Sequence, residues 1–537
     1  MPSWIAPCAL LWALAGGGKT PPAEDAQLTA RIEEILQRSE LRHALVGIEI
    51  VSLKDGRVLY ARNEDKLFVS GSVAKVVTEG TALKLLGAER RFRTVVYGTG
   101  AVASDGTLQG DLVLVASGDP NLSNRVRRDG TLAFEDHDHA YGQILEATLV
   151  PGDPLQVIRD LAAQVARRGV KRVAGRVRVD VSLFPEGARE GGTKVVISPI
   201  CVNDNVVDVI VSPGAAAGEP ALVSSSPATR YVRFENNVET GGEASGTEVE
   251  LVPGPTDDGR LVVKVEGRIA AGTKPRPFPF AVPEPSAFAA TALEEALAEV
   301  GVTVGNGSSP DAPRWSELAK LYLPEHALAE HVSPPLREDV KVTLKVSQNV
   351  HAAMMPYLVG ALVGGAHENA LAVGFEHQRA FLAEAGLPLS AAAQSDGAGA
   401  GALFTPDFLV RFLAFMAAQP EFQTLHAALP TLGKDGSLAS VLRGSMAAGR
   451  VHAKTGTLVA GDLLNKQYLV TGKGLAGYVD ARSGERLAFA VFANHVPTAS
   501  EDFAAVERLG VMLAEIAAAA VDARGSGPPP APPAPPP

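Results

Sequence analysis

The sequence predicts an α/β (α+β) protein whose main domain is discontinuous and carries a large β-rich insertion. Strand-like runs at 45–53 and 57–60 are followed by a helical stretch at 72–86. Between residues 92 and 281 short strand-like runs alternate with Gly, Pro, Asp and Asn turns. Long Ala/Leu-rich helical patterns return after residue 283. Because 92–281 is too long for a loop, we expect it to fold as one or two inserted domains.

The N-terminal part of the main domain is predicted to be a helix followed by a β-hairpin and a second helix. Apolar residues recur on one side of 25–42, as in an amphipathic helix. The two strand-like runs after it meet at Lys54-Asp55-Gly56, which is a good hairpin turn. A helix that follows such a hairpin is typical of a mixed α/β domain, so 25–91 is assigned to the main domain.

The remaining elements divide between the insertion and the second part of the main domain, which is predicted to cover 282–521. One helix, near 154–168, interrupts the strands of the insertion. Two strands, at 467–480 and 486–494, precede a final helix at 500–520. The other expected elements are insertion strands at 112–116, 173–179, 206–211 and 261–265, and later helices at 287–300, 340–362, 370–385 and 406–418.

Composition excludes several functional classes. The chain has 537 residues and a formal charge of −11, which argues against a bulk electrostatic binder of nucleic acid. Its two cysteines, Cys8 and Cys201, are too few for a disulfide scaffold or a Cys-rich metal site. No apolar run reaches the roughly 18 residues that span a bilayer. No cofactor is predicted, and Cys201 is expected to be a small core residue.

The two ends are predicted to lie outside the folded domains. Residues 1–20 contain an apolar run and a small-residue cleavage pattern, so we interpret them as a signal peptide for export to the periplasm or another extracytoplasmic space. No Lys or Arg precedes the apolar run, which leaves a buried or frayed segment and a lipid anchor on Cys8 as alternatives. Residues 522–537 are Pro-rich and are predicted to be a disordered tail.

The first chemical motif is Ser72-Val73-Ala74-Lys75 at the start of a predicted helix. Positions i and i+3 share a helix face, so a hydroxyl lies beside an amine. Free N–H groups at the helix start favour negative charge, and a partly buried lysine loses basicity and can act as a general base. Ser72 is thus a candidate nucleophile and Lys75 its base, although a lone motif of this kind is more often a capped helix with a solvated lysine.

Two further motifs complete a catalytic set. In Ser347-Gln348-Asn349, between two helical runs, the serine can relay a proton and the Asn349 amide can hold a substrate amide. In Lys454-Thr455-Gly456-Thr457, at the start of a strand, Lys454 and the threonine hydroxyls can hold a carboxylate. Gly456 lets a substrate backbone approach, and the N–H groups of Ser72 and Thr457 can form an oxyanion hole. Alone, the second motif could be a polar kink and the third a strand-end turn.

The three motifs, in this order, resemble those of penicillin-binding proteins and class A β-lactamases. Over about 28–519 the chain is similar to the D-alanyl-D-alanine carboxypeptidase/endopeptidases of the penicillin-binding protein 4 type, which are low-molecular-mass class C penicillin-binding proteins. Further matching blocks are Gly110–Val113, Ser117–Leu122, Val202–Asn205, Asp396–Gly399, Leu429–Pro430, Asp435–Leu438 and Leu475–Tyr478.

The resemblance implies a β-lactamase/D,D-peptidase-like transpeptidase domain with a large insertion between the first two motifs. It implies cleavage of D-Ala–D-Ala bonds, or of D-amino-acid crosslinks, in peptidoglycan stem peptides through an acyl-enzyme on Ser72. β-Lactams are expected to acylate the same serine. No motif lies within 92–281, so the insertion is expected to leave acylation unaffected.

Departures from the family pattern leave two other functions open. Ala398 and Ala353 stand where the family often has a serine and an acidic residue, and the extra residues 460–466 are expected to lengthen a turn beside the site. A weakly active or non-catalytic cell-wall binder is one alternative. A serine β-lactamase is less favoured, because no Glu-x-x-Leu-Asn stretch for deacylation lies between Asn349 and Lys454.

Charged groups in the insertion are interpreted as solvated. The run Glu135-Asp136-His137-Asp138-His139 offers metal ligands, but a solvated loop is favoured over a metal site. The basic groups are expected to form a solvated face, with contact to the anionic cell-wall polymer as the alternative. They are Arg125, Arg127, Arg128, Arg167, Arg168, Lys171 and Arg172.

Overall fold

The structure is a computed structural model that describes residues 23–142, 147–255, 260–305 and 314–523. The predicted signal peptide at 1–20 lies outside the described residues, as does the predicted tail at 522–537 except for its first two residues. Asp522 belongs to a 3₁₀ turn at Ala520–Asp522, so the folded chain extends into the predicted tail. Within the described parts of the chain, no helix is long and apolar enough to cross a bilayer.

The described residues contain the following regular elements. The α-helices are α1 Ala23–Leu36, α2 Ala74–Leu86, α3 Gln156–Arg167, α4 Pro285–Glu299, α5 Trp315–Leu318, α6 Leu336–Val346, α7 Asn349–Leu362, α8 Ala370–Glu384, α9 Pro406–Ala417, α10 Phe422–Ala428 and α11 Phe503–Ala519. The strands are β1 Leu45–Ser52, β2 Val58–Arg62, β3 Phe68–Val69, β4 Arg93–Gly98, β5 Thr107–Leu108, β6 Leu112–Val115, β7 Arg172–Val173, β8 Val177–Asp180, β9 Val206–Ser212, β10 Leu222–Ser226, β11 Val232–Gly241, β12 Glu248–Pro253, β13 Leu261–Ala270, β14 Arg276–Ala281, β15 Thr303–Val304, β16 Ala327–Val332, β17 Ala392–Ala393, β18 Leu403–Phe404, β19 Val451–Asp462, β20 Gln467–Asp480, β21 Arg486–Asn494 and β22 Val496–Pro497.

The largest sheet brings the two ends of the described chain together. Its strand order is β19-β20-β21-β1-β2, with antiparallel neighbours, and the short β22 pairs with β20. Alternate residues of β1 point to opposite faces. Ile48 and Ile50 pack into a core with α1 and α11, whereas Val51 packs into a second core with α2, α7 and α9. The sheet is therefore covered by helices on both faces.

The inserted region has its own core and smaller sheets. The sheets have the orders β16-β4-β6-β8, β10-β9-β14, β11-β13-β12 and β15-β7-β5. Helices α3 and α4 pack in this core, with Leu161 and Leu293 both fully buried. This core extends past the predicted boundary at residue 282, since α4 belongs to it and β16 pairs with β4.

The insertion also packs against the main domain. Phe184, Ile197 and Cys201 of the insertion are buried in the same core as helices α2, α6 and α7. Cys201 is a free, fully buried thiol, as predicted. The two regions thus share an apolar interface close to the start of α7.

Several helix bounds differ from the sequence prediction. The helical pattern at 340–362 is divided at the predicted junction, where Ser347 adopts a left-handed backbone with φ of 65°. The first of these two helices, α6, begins at Leu336, four residues before the predicted start. The first helix ends at Leu36, and a 3₁₀ turn at Ser39–Leu41 follows it. The other predicted helices of the main domain end within three residues of their predicted positions.

Candidate active site

Ser72 and Lys75 lie at the N-terminal end of α2. Ser72 belongs to a 3₁₀ turn at Gly71–Val73, and the α-helix begins at Ala74, two residues later than predicted. The Lys75 side chain extends back toward Ser72, three residues earlier on the same side of the chain, so that Nζ lies 2.8 Å from Ser72 Oγ. Lys75 is fully buried, whereas Ser72 remains half-buried and accessible to a ligand.

The junction between α6 and α7 brings the second motif to the same lysine. Lys75 Nζ lies 3.0 Å from Ser347 Oγ and donates to Ser347 O at 2.8 Å and to Asn349 Oδ1 at 2.5 Å. The left-handed backbone of Ser347 breaks the helix and turns its side chain toward Lys75. Two hydroxyls therefore flank one amine, and the Asn349 oxygen is engaged by Lys75.

The third motif lies on β19, an edge strand of the main sheet, which packs against the turn that carries Ser72. A Cβ built on Gly456 would lie 2.1 Å from Ser70 O, so only glycine permits this contact. A Cβ built on Gly71 would lie 3.0 Å from the Thr457 nitrogen. The strand begins at Val451, three residues before the predicted start. Gly456 thus permits a close approach of the protein's own backbone at Ser70, and its approach to a substrate backbone stays a prediction.

Burial determines the electrostatics of Lys75. Removal from water lowers the pKa of the Lys75 amine to about 8, although Glu190 and Glu79 act in the opposite direction. A lysine with this pKa is partly neutral near physiological pH, so it can accept a proton from a neighbouring hydroxyl.

The Lys454 side chain on β19 carries a second buried amine, which interacts electrostatically with Lys75 and Lys473. It is fully buried, and its Nζ donates to Thr455 O at 2.9 Å. Within the described residues it forms no ion pair with an acidic side chain. Burial, followed by repulsion from Lys75 and Lys473, holds its pKa well below the usual value for lysine. An anionic ligand would relieve this repulsion, so this end of the site is suited to a carboxylate.

Three residues that the sequence analysis did not select also line the site. Lys473 on β20 donates to Thr457 Oγ1 at 2.8 Å, and Ser437 Oγ lies 2.9 Å from Thr455 Oγ1. Tyr141 of the insertion donates to Ser347 O at 2.7 Å. Ser437 lies in a block that carried the family resemblance, but the positions of Lys473 and Tyr141 depend on strand register and on the docking of the insertion.

The interpretation of residues 135–139 as a solvated loop is wrong for Asp138 and His139, which are 2% and 6% exposed. Arg125 is also buried, and its Nη2 contacts both Asp138 and Asp204. Asp138, His139 and Asp204 lie close enough to hold a metal ion, but this guanidinium already engages both carboxylates. The other basic groups are exposed, as predicted: Arg127, Arg128, Arg167, Arg168, Lys171 and Arg172.

The departures from the family pattern fall in the buried core and in a hairpin turn. Ala353 and Ala398 are buried in the core, with 2% and 4% exposure. Residues 460–462 extend β19, and Asp462 pairs with Gln467 across the turn. The turn that was expected to be longer beside the site is therefore an extension of the hairpin formed by β19 and β20. Its tip is about 17 Å beyond Thr457 at the usual rise per residue.

Comparison with solved structures supports this description of the fold. The penicillin binding protein 4 of Haemophilus influenzae superposes with a TM-score of 0.66 at 20% identity, over 90% of this chain and 98% of that chain. The predicted α/β transpeptidase fold with additional β-rich regions is confirmed. This fold, with a serine and a lysine side by side below an edge strand carrying Lys-Thr-Gly, defines a serine hydrolase of the penicillin-binding class.

Sequence comparisons identify the family within that class. The chain belongs to the D-Ala-D-Ala carboxypeptidase 3 (S13) family, whose model matches residues 28–514. A D-alanyl-D-alanine carboxypeptidase of Actinomadura sp. (strain R39) is 30% identical over 93% of this chain and 88% of the relative. The carboxypeptidase DacB of Haemophilus influenzae is 23% identical over 84% of this chain and 86% of the relative. The protein is thus a serine-type D-Ala-D-Ala carboxypeptidase, and the predicted resemblance is confirmed.

Proposed function

We propose that Ser72 is the nucleophile, Lys75 the general base and Ser347 a proton relay in hydrolysis of terminal D-Ala–D-Ala bonds of peptidoglycan stem peptides. The observation that carries this assignment is the position of Lys75 Nζ, 2.8 Å from Ser72 Oγ and 3.0 Å from Ser347 Oγ. These distances are within hydrogen-bond reach, as proton transfer requires. The depressed pKa of Lys75 supports the same role.

In the proposed acylation, Ser72 Oγ attacks the carbonyl carbon of the penultimate D-Ala while its proton passes to the neutral amine of Lys75. The N–H groups of Ser72 and Thr457 stabilise the oxyanion. The C–N bond then breaks, and the departing D-Ala nitrogen receives the proton from Lys75 through the Ser347 hydroxyl. Water hydrolyses the resulting ester, which releases the shortened peptide and restores Ser72.

Substrate binding is assigned to the edge strand and to Asn349. Lys454, Thr455 and Lys473 would hold the terminal carboxylate, since two lysine amines and a hydroxyl lie there without an ion-paired acid among the described residues. A bound carboxylate would favour the protonated form of both amines. The backbone of β19 would align the peptide by strand addition. With its oxygen on Lys75, the Asn349 amide can still offer its nitrogen to a substrate carbonyl.

β-Lactams are expected to acylate Ser72, because they present an activated carbonyl and a carboxylate in one molecule. A β-lactam complex of the Haemophilus influenzae penicillin binding protein 4 is known, which supports this expectation. We propose that the same site also cleaves peptidoglycan crosslinks that contain D-amino acids. Such substrates lie outside the cytoplasm, so a periplasmic or other extracytoplasmic location follows from the proposed activity.

A paired assay tests the proposed function. Purified protein is incubated with a fluorescent penicillin and, separately, with defined pentapeptide and crosslinked muropeptides whose products are analysed by mass. A stable adduct with release of D-Ala supports the proposal, and cleaved crosslinks would add endopeptidase activity. Rapid loss of the label together with hydrolysed penicillin would indicate a β-lactamase. A stable adduct without peptide cleavage would indicate a penicillin-binding protein with little peptidase activity. No adduct would contradict the proposal.

We expect the first-order rate of β-lactam acylation, measured at saturating ligand, to rise with pH and to level off above about pH 8. Burial lowers the pKa of Lys75 to about 8, and only the neutral amine accepts the Ser72 proton, so the rate is lost as pH falls below this value. Stopped-flow labelling between pH 6 and 9.5 measures the profile, with spontaneous β-lactam hydrolysis subtracted. A rate independent of pH over this range would contradict the assignment of Lys75 as base.

Substitution Lys454→Ala is expected to raise KM for substrates with a free terminal carboxylate by about 10- to 100-fold, the usual loss for a hydrogen bond to a charged group. The measurement compares kcat/KM for a peptide with a free terminal carboxylate and for the same peptide as its C-terminal amide. The ratio of the two values should fall toward unity in Lys454→Ala. Lys466→Ala is the matched control, because Lys466 is an exposed lysine in the turn of the same hairpin. An undiminished preference in Lys454→Ala would exclude Lys454 as the carboxylate-binding group.

A further inference from the structure

A cluster of buried charges joins the inserted region to the motif Ser347–Asn349. Its centre is Asp204, which is fully buried. Asp204 Oδ2 accepts from Arg125 at 2.8 Å and from Gln348 Nε2 at 3.2 Å, and Asp204 Oδ1 lies 2.9 Å from His351 Nε2. One carboxylate of the insertion therefore contacts the middle residue of the motif and the helix that follows it.

Two further side chains of the insertion reach the same motif. Gln348 Nε2 donates to Asp138 Oδ1 at 3.0 Å, and the Tyr141 hydroxyl donates to Ser347 O at 2.7 Å. Asp138 is in turn held by Arg125. The insertion thus contacts both Ser347 and Gln348, and the same Ser347 carbonyl accepts a hydrogen bond from Lys75.

The backbone on both sides of this contact has an uncommon conformation. Ser347 has φ of 65°, and Asn203, Asp204 and Asn205 have φ of 47°, 54° and 53°. Residues with a side chain rarely adopt positive φ, and such positions persist only where their surroundings hold them. The Asn205 side chain holds the segment Asn203–Asn205 through hydrogen bonds to the backbone of the same loop. Ser347 depends instead on Lys75 and on the contacts from the insertion.

The charges of the cluster are mutually dependent. Burial acts to raise the pKa of Asp204, but Arg125, His351 and hydrogen bonds from His139 and His351 outweigh it and hold the pKa well below its usual range. Asp204 is therefore ionised, and it is a common partner of these cationic groups. Each of these cationic groups also contacts a second carboxylate, so loss of the Asp204 charge would remove only the counter-ion that they share and would loosen the contact with Gln348.

We propose that Asp204 is a positioning residue for acylation: through Gln348 it holds Ser347 and Asn349 against Lys75, which makes the inserted region a structural part of the active site. The proposal rests on the function proposed above for Ser72, Lys75 and Ser347. A displacement of about 1 Å in such groups can reduce a rate about 100-fold. Asp204 contacts no reacting atom itself, so its effect passes through the motif.

The test compares Asp204→Asn with Asp208→Asn in the full-length protein. Asp208 is an equally buried carboxylate of the same cluster, but it contacts His139 and Asn203 rather than the motif. Benzylpenicillin acylation is followed by intact-protein mass spectrometry, which yields both the final acylated fraction and the rate per acylatable site. The melting temperature is measured in parallel.

We expect Asp204→Asn to acylate about 10- to 100-fold more slowly per acylatable site, and Asp208→Asn to lower the melting temperature while this rate stays within about threefold of wild type. A purely structural role would reduce the acylatable fraction but not the rate per site. A wild-type rate in Asp204→Asn, or an equal loss in Asp208→Asn, would overturn the proposal.

The wild-type protein tests the premise of this proposal, and a second variant tests the proposal itself. If the wild-type protein forms no adduct, the function proposed for Ser72 fails, whatever the variants do. If Asp204→Asn does not fold, Gln348→Ala removes the same link from the side of the motif. The same tenfold or larger loss per site is then expected, and a wild-type rate in Gln348→Ala would overturn the proposal.

Discussion

Substitution Ser72→Ala is expected to abolish the covalent β-lactam adduct and to reduce D-Ala release by a factor on the order of 10⁶, as removal of the nucleophile does in other serine hydrolases. Ser72 is the half-buried hydroxyl 2.8 Å from Lys75 Nζ, and without its Oγ no ester can form. Intact-protein mass spectrometry after incubation with benzylpenicillin measures the adduct, and a coupled D-amino-acid assay measures turnover.

Ser70→Ala is the matched control for this variant. Ser70 lies two residues earlier on the same segment and is fully buried, and its hydroxyl proton is shared between Ala402 O at 3.2 Å and Gly71 O at 3.3 Å. Its loss removes one hydrogen bond from the core but no group from the reaction, so the adduct should still form. A full adduct in Ser72→Ala, mapped by peptide digestion to another residue, would show that the nucleophile is misassigned.

Substitution Lys75→Ala is expected to slow acylation by about 10²- to 10⁴-fold, the range typical for loss of a general base. The nucleophile remains, so an adduct should still accumulate at long times. Lys75 also holds Ser347 and Asn349 through its Nζ, so the loss includes their positioning. The rise in rate toward pH 8 should disappear in this variant, because the group that titrates there is gone. Time courses of fluorescent penicillin labelling measure both effects.

Lys84→Ala is the control for loss of a lysine from the same helix. Lys84 lies in the last turn of α2, where it contacts Gln419 and Glu421 at the surface, far along the helix from Ser72. Its acylation rate and pH profile should match those of the wild type. A wild-type rate in Lys75→Ala would leave the base unidentified and would direct attention to Ser347 and to bound water.

Local patterns predicted most of the elements of the main domain. The strands at 467–480 and 486–494 have the predicted bounds, since their apolar runs are bounded by turn residues. The polar motif at Ser347 predicted a junction between two helical runs, but the left-handed backbone of this serine is held by contacts that are distant in sequence. The extension of the insertion's core past residue 282 likewise depends on the pairing of β16 with β4.

The inserted region shows the limit of motif-based reasoning. It carries no catalytic motif, so it was expected to leave acylation unaffected. Tyr141, Asp138 and Asp204 contact the motif at 347–349, and these contacts are the basis of our proposal that the insertion affects acylation. Charged residues such as Arg125 and Asp138 look solvated in a sequence, since their burial becomes tolerable only when the fold brings opposite charges together, as it does for Arg125 with Asp138 and Asp204.

The sequence by itself determined the chemistry: which hydroxyls, amines and amide are available, and that Ser72 and Lys75 share one face of a helix. These properties depend on residue type and on spacing within one turn. Tertiary structure alone decided the strand order that places Lys473 beside Thr457, the burial that lowers the pKa of Lys75, and the docking of the insertion on Gln348. Such properties come from contacts between residues far apart in the chain, and no local pattern encodes which distant groups will meet.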